Sequence, residues 1–252
     1  MSSYIDLMGG LKLSGMRESV EYRIEEAIQA DLTYQDFLLL VLEDEKLYRQ
    51  NRKAERLRKR AKFNDIVSLE NFDCTPERRI SKSMIKKLAS LNFLEKFENI
   101  IFTGGTGAGK SYLSQSIGQK ACLNGIESLF YPVNKFFKEV EESELAGNYL
   151  NFLAKIKRCK ILIFDDFGLR NYSHKEASIF YDVLEDRYQK GTIILTSQVK
   201  PAGWRGLFED EVIAEAIVDR LTSCAHKVHV DGPSYRKNHQ PKEKIESKKQ
   251  VL

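Results

Sequence analysis

The stretch Phe102–Ser111, FTGGTGAGKS, decides the fold. Four of its residues are glycines (Gly104, Gly105, Gly107, Gly109), and Lys110 and Ser111 follow them. From Gly104 to Ser111 the pattern is G-x-x-x-x-G-K-S, a phosphate loop. Residues without side chains let backbone N–H groups turn inward around phosphate oxygens. A helix starting near Lys110 would add its N-terminal partial positive charge. On this pattern Gly104, Gly105, Thr106, Gly107, Ala108, Gly109, Lys110, Ser111 and Tyr112 form the nucleotide contact set. Lys110 reaches the β- and γ-phosphates, and the Ser111 hydroxyl binds Mg²⁺. The motif needs a strand before it and a helix after it. NIIFTG (99–104) reads as a short buried strand. KSYLSQSIGQKACLNG (110–125) reads as a helix, with Leu113, Ile117 and Leu123 facing inward and Gly125 suited to its C-terminal cap.

Outward from the loop, strands and helices alternate. SLFYPV (128–133) is a second strand, and helical stretches follow near 134–142 and 147–157. KILIFDDFG (160–168) is a continuous apolar run of the kind buried on both faces. HKEASIFYDVLEDRYQK (174–190) is an amphipathic helix, GTIILTSQ (191–198) a fourth strand, DEVIAEAIVDRLTSCA (210–225) a helix and KVHVDG (227–232) a last strand. This predicts an α/β fold: a parallel sheet with helices on both faces.

The run ILIFDD places Asp165 and Asp166 at the carboxyl end of a central strand, the edge where open α/β sheets bind ligands. Asp165 suits a carboxylate that holds Mg²⁺ with Ser111, and Asp166 one that orients or deprotonates attacking water. TSQ (196–198) ends the neighbouring strand; Gln198 is the first choice for a water-positioning side chain and Ser197 the second. Arg187, Arg220 and Arg236 read on spacing alone as surface arginines, with γ-phosphate stabilisation as the alternative.

Residues 16–62 read as helices, with no Gly or Pro from Tyr34 to Phe63. Leu40, Leu47, Ala54 and Ala61 recur every seven residues beside Leu57, an apolar stripe. Residues 49–62 carry eight basic side chains and one acid, although the whole chain is only +4. Arg49, Arg52, Lys53, Arg56, Lys59 and Arg60 are therefore the candidate contacts to a polyanion, through salt-dependent and mostly sequence-independent binding. SLENFDCTPER (68–78) breaks the helical pattern and reads as a linker or an entry segment. The Lys-rich tail 238–252 reads as disordered.

Cys74, Cys122, Cys159 and Cys224 are widely spaced, and the four histidines show no ligand spacing, so zinc and a disulfide framework are not expected. No apolar run approaches membrane-spanning length and the N-terminus lacks a secretory pattern, which reads as cytoplasmic. At 252 residues with 42% hydrophobic composition, the chain suits one α/β domain plus a smaller appendage, or a single large domain. The expected partition is a helical region over 1–67, an α/β domain over 68–237 and the tail.

GGTGAGKS, ILIFDDFG, EDRY, IILTSQ, AIVDRL and GPSYRK, in this order, resemble the IstB-like ATP-binding proteins over residues 10–237. These are AAA+ ATPases that assist the transposases of insertion sequences and are relatives of DnaC-type helicase loaders. The resemblance implies ATP and Mg²⁺ as cofactors, with Lys110 and Ser111 as the Walker A pair and Asp165 and Asp166 as the Walker B acids. It further implies Gln198 or Ser197 as sensor 1, Arg220 as the finger reaching a neighbour's ATP and Arg236 as sensor 2. It implies self-association, binding to duplex DNA and contact with a transposase. Asp166 departs from the Glu of many AAA+ proteins, which implies slow or partner-stimulated hydrolysis. Two other readings compete: a helicase loader in DNA replication, and a small-molecule kinase, which would require an acceptor pocket.

Overall fold

A computed structural model describes residues 3–235. Three helices open the chain: α1 (Tyr4–Gly10), α2 (Ser14–Gln29) and α3 (Tyr34–Ala61). Ser3 and Thr33 cap α1 and α3 by accepting backbone N–H bonds. A short helix α4 (Lys82–Ala89) precedes β1 (Asn99–Gly104) and α5 (Lys110–Leu123). Then come β2 (Ser128–Pro132), α6 (Val133–Leu145), α7 (Tyr149–Arg158), β3 (Ile161–Phe167), α8 (His174–Arg187), β4 (Thr192–Ser197), α9 (Glu211–Thr222) and β5 (Ala225–Val230). The predicted alternation is present; α4 had no counterpart in the sequence reading.

The strands form one parallel sheet in the order β2-β3-β4-β1-β5. Alternate residues of each strand face opposite sides. Ile100, Phe102, Ile161 and Ile163 pack with Leu113 and Ile117 of α5 and Leu88 of α4. Ile101, Leu162, Phe164 and Leu195 pack with Phe136, Phe180 and Ile217 from α6, α8 and α9. The single tryptophan, Trp204, lies in the second layer, fully buried, with its indole N–H donating to Val199 O at 2.9 Å and its ring edge-on to Phe167 at 5.1 Å.

The seven-residue stripe on α3 is only half right. Val41 and Glu45 are buried toward α2, and Ala54, Leu57 and Ala61 are buried toward α5, whereas Leu47 is exposed. One helix serves two neighbours in succession, so no single stripe runs its length. At the first, the N-terminus of α2 sits on α3 so closely that a Cβ at Gly15 would lie 2.6 Å from Tyr48 Cβ. Buried Glu45 accepts the Gly15 and Met16 N–H groups at 2.6 and 3.0 Å.

The segment 68–78 is more than a linker. It forms two 3₁₀ turns, with Leu69 buried in the core and Phe72 and Arg78 buried against the phosphate loop. Among the described residues no helix is long and apolar enough to cross a membrane.

Candidate nucleotide site

The loop 104–109 leaves β1 at the carboxyl edge of the sheet and enters α5. Two of its glycines are dictated by space as well as by left-handed φ. At Gly104 (φ 145°) a Cβ would lie 2.0 Å from Val230 O, and at Gly107 (φ 78°) 2.1 Å from Ser234 Oγ. Lys110 Nζ donates to the carbonyls of Gly104 and Gly105 at 2.9 and 2.8 Å, arching over the cradle.

A cavity of about 570 Å³ opens above the loop. Thr106, Gly107, Gly109, Lys110, Ser111 and Tyr112 line it, joined by Asp166 and Gln198. Val67, Phe72, Tyr112, Leu169 and Tyr235 add apolar and aromatic lining, a combination suited to a flat heterocycle carried on a polyphosphate. The predicted linker therefore supplies one wall. α5 clamps that wall: Gln115 Oε1 accepts the Asn64 N–H at 2.9 Å, Gln119 Nε2 donates to Asp65 O at 2.8 Å, and the Tyr112 hydroxyl donates to Ser68 O at 2.9 Å.

The two aspartates are splayed by a β-bulge, with the register between β3 and β4 shifting between Phe164 and Phe167. Asp166 takes φ 60°, a left-handed conformation that Asp tolerates better than most residues. Asp165 points into the protein and is 6% exposed, whereas Asp166 is exposed and lines the cavity. Burial pushes the Asp165 carboxyl above its ordinary range; hydrogen bonds from the Thr196 and Ser111 hydroxyls oppose that rise.

Thr196 was missed by the sequence reading. Its hydroxyl donates to Asp165 Oδ1 at 2.6 Å and accepts the Asp166 N–H at 3.0 Å, so one side chain fixes both acids. The bulge brings it there. Ser197, the second choice from sequence, is turned away: its buried hydroxyl donates to Phe167 O at 2.7 Å and accepts the Val199 N–H at 3.0 Å. Gln198 does reach the cavity, where Oε1 accepts the Thr106 hydroxyl at 2.8 Å. The Ser111 hydroxyl against the Asp165 carboxylate is an all-oxygen pair, the donor chemistry that a small hard cation takes.

The family model for IstB-like ATP binding protein matches residues 7–243. The chain belongs to this family. A Pseudomonas aeruginosa relative, described as an ATP-binding protein of insertion sequence IS21, is 34% identical over 230 residues, covering 91% of this chain and 87% of its own length. Among solved structures, AMPPCP-bound DnaA from Aquifex aeolicus is similar with a TM-score of 0.56 at 22% identity, over 68% of this chain and 51% of that one. The DnaC helicase loader is similar with a TM-score of 0.53 at 18% identity, over 66% of this chain and 97% of that one. By family and fold this IstB-like chain is an AAA+ P-loop ATPase.

The three arginines of the IstB-like pattern have different fates. Arg187 is 2% exposed and donates to the carbonyls of Ile156, Cys159, Lys160 and Thr192 at 2.8 to 3.1 Å. It is neither a surface residue nor able to reach another subunit, which corrects both sequence readings. Arg220 lies at the strand-start edge: its carbonyl accepts from Asn99 Nδ2 at 3.1 Å. Asn99 begins the strand whose other end is Gly104, about 17 Å away at strand rise. Arg220 therefore cannot serve its own cradle. Its guanidinium donates to Glu185 at 2.6 Å and lies 4.7 Å from the Tyr181 ring centroid. Arg236 and the tail 238–252 lie outside the described residues.

The basic stretch is the carboxyl half of α3. Arg52, Lys53, Arg56 and Arg60 are exposed and make no ion pair among the described residues. Lys59 is held by Glu55 at 2.8 Å. Arg49 is a structural staple: it donates to Glu45 at 2.6 Å and to Lys12 O at 3.3 Å.

Proposed function

We propose that this IstB-like chain assembles with ATP on duplex DNA and assists a transposase in target selection and insertion during DNA transposition. The observation that carries the reading is the unpaired basic face of α3 at Arg52, Lys53, Arg56 and Arg60, joined through the clamped segment 64–68 to the wall of the nucleotide cavity. A face of like charges that makes no ion pair among the described residues is repelled by itself and attracted by a phosphate backbone. The helical region 1–67 would contact DNA, and the domain 68–237 would bind nucleotide. The chain would work in the cytoplasm, where its DNA is.

In the site, Lys110 and the loop N–H groups bind the β- and γ-phosphates. Ser111 and Asp165 would hold Mg²⁺, which supplies charge neutralisation on the phosphoryl oxygens. Asp166 orients the attacking water, Gln198 reaches the same space, and Thr196 keeps both acids in place. Being too far from its own cradle, Arg220 would complete the site of an adjoining subunit, so that ATP favours an oligomer. Sensor 2 is assigned to Arg236.

The test is duplex binding with ATP across a salt series. Replacing Arg52, Arg56, Lys59 and Arg60 by Gln should weaken binding and lower the slope of log affinity against log salt by about 3. An unchanged slope rejects the DNA face. A clear preference for single-stranded over duplex DNA would favour the helicase-loader reading instead.

A further inference from the structure

Behind the phosphate loop lies a buried cation that the sequence reading passed over. Arg78 is 5% exposed. Its Nη1 donates to Ala108 O at 2.6 Å. Its guanidinium lies 4.0 Å from the Tyr235 ring centroid and 5.7 Å from that of Phe72, and both rings line the nucleotide cavity. The backbone is tied down as well, with Arg78 O accepting the Asp231 N–H at 3.2 Å. Yet Nε is buried without a partner, and among the described residues no carboxylate stands within 4 Å of the guanidinium. The adjacent acid at 231 is taken by Arg79 instead, at 3.3 Å.

A buried charge outside any close ion pair is costly, and two aromatic faces and the more distant Glu77 carboxylate, which feels that charge, offset it only in part. The geometry of the peptide between Ala108 and Gly109 shows what the arrangement serves. In a planar trans peptide the C=O and the following N–H point in opposite directions. Arg78 holds the Ala108 carbonyl on the outer side of the loop, which aims the Gly109 N–H to the inner side, where Gly109 lines the cavity. A charged donor on the carbonyl also polarises that peptide and makes its N–H a stronger donor.

We infer that Arg78 is a positioning residue of the phosphate site: it aims the Gly109 N–H at the polyphosphate and keeps behind the loop a positive charge that the polyphosphate compensates. The inference rests on the loop at Lys110 being the nucleotide cradle. It predicts that Arg78 discriminates by phosphate number, contributing to binding of a triphosphate far more than of a monophosphate.

The experiment titrates fluorescent analogues of ATP and AMP into the full chain, wild type and as Lys110→Ala, Arg78→Met and Arg78→Lys. Arg78→Met should weaken ATP at least about tenfold and leave AMP within about twofold; Arg78→Lys, which keeps the charge, should stay within about threefold of wild type for ATP. Equal losses for ATP and AMP in Arg78→Met would mean a purely structural role and overturn the inference, as would undiminished ATP binding. Should Arg78→Met not fold, Arg78→Lys decides alone, and a tenfold loss there overturns it. If Lys110→Ala binds ATP like wild type, the cradle assignment itself has failed; if Lys110 matters and Arg78 does not, only this inference falls.

Discussion

The two edges of the sheet use buried arginine in opposite ways. At the strand-start edge Arg187 donates through Nη1 and Nη2 to four carbonyls from the end of α7 and the starts of β3 and β4, with Nε unpartnered as it is in Arg78. At the strand-end edge Arg78 donates to one carbonyl and is otherwise pressed between rings. Carbonyls satisfied in the resting chain make a fixed joint. A cation left short of acceptors, beside a loop of inward-facing N–H groups, makes a receptive one. One edge holds the fold together and the other is prepared for an anion.

The strongest way to break this comparison is at Lys110. Lys110→Ala should lower ATP affinity by about a hundredfold or more and abolish ATP-dependent assembly, while urea unfolding of the apo chain changes little. Nucleotide titration and sedimentation measure the first two, and normal assembly by the variant would refute the receptive edge. Arg187→Met should do the reverse. It strands several buried carbonyls, so unfolding free energy should fall by about 3 kcal/mol in urea titration, with ATP affinity unchanged in the surviving folded protein. A loss of affinity without a loss of stability would show that the two edges are not separable in this way.

The smallest effect sharpens the comparison at Asp165. Burial raises the folded pKa of this carboxyl, so its ionised form costs stability above the ordinary value of 3.8. Below that value both states are protonated and the cost disappears. Asp165→Asn should therefore raise the apo unfolding midpoint by about 2 °C at pH 7, a gain that shrinks as pH falls toward 4, and it should stop hydrolysis. Calorimetry across pH reads the first and phosphate release the second. A lowered midpoint at pH 7 would mean that the hydrogen bonds to Thr196 and Ser111 outweigh burial.

What the sequence disclosed follows from range. The phosphate loop, the alternation of strands and helices, and the paired aspartates are written in contiguous residues whose spacing carries their geometry. Thr196 was hidden because a bulge at 165–166 changes which residue of β4 stands beside the acids. Arg78 and Arg187 were hidden because burial of an arginine is decided by carbonyls and rings distant in sequence. The wall at Val67 and Phe72 looked like a linker because its order comes from α5 side chains and from the loop, and not from periodicity of its own. The stripe on α3 was misjudged at Leu47 because the helix changes neighbours midway.

Trp204 gives the acid edge an optical signature. It is the only indole among 11 tyrosines and 14 phenylalanines, and its ring abuts Phe167, the residue that closes the Asp165–Asp166 bulge. Its N–H is anchored on Val199, one residue past Gln198. Selective excitation of this one chromophore, which emits toward the blue while dry, reports any loosening of the bulge or of the Gln198 strand end. Any rearrangement at the acids that reaches Phe167 or Val199 would thus be visible in the light of a native side chain, without a dye attached to the loop.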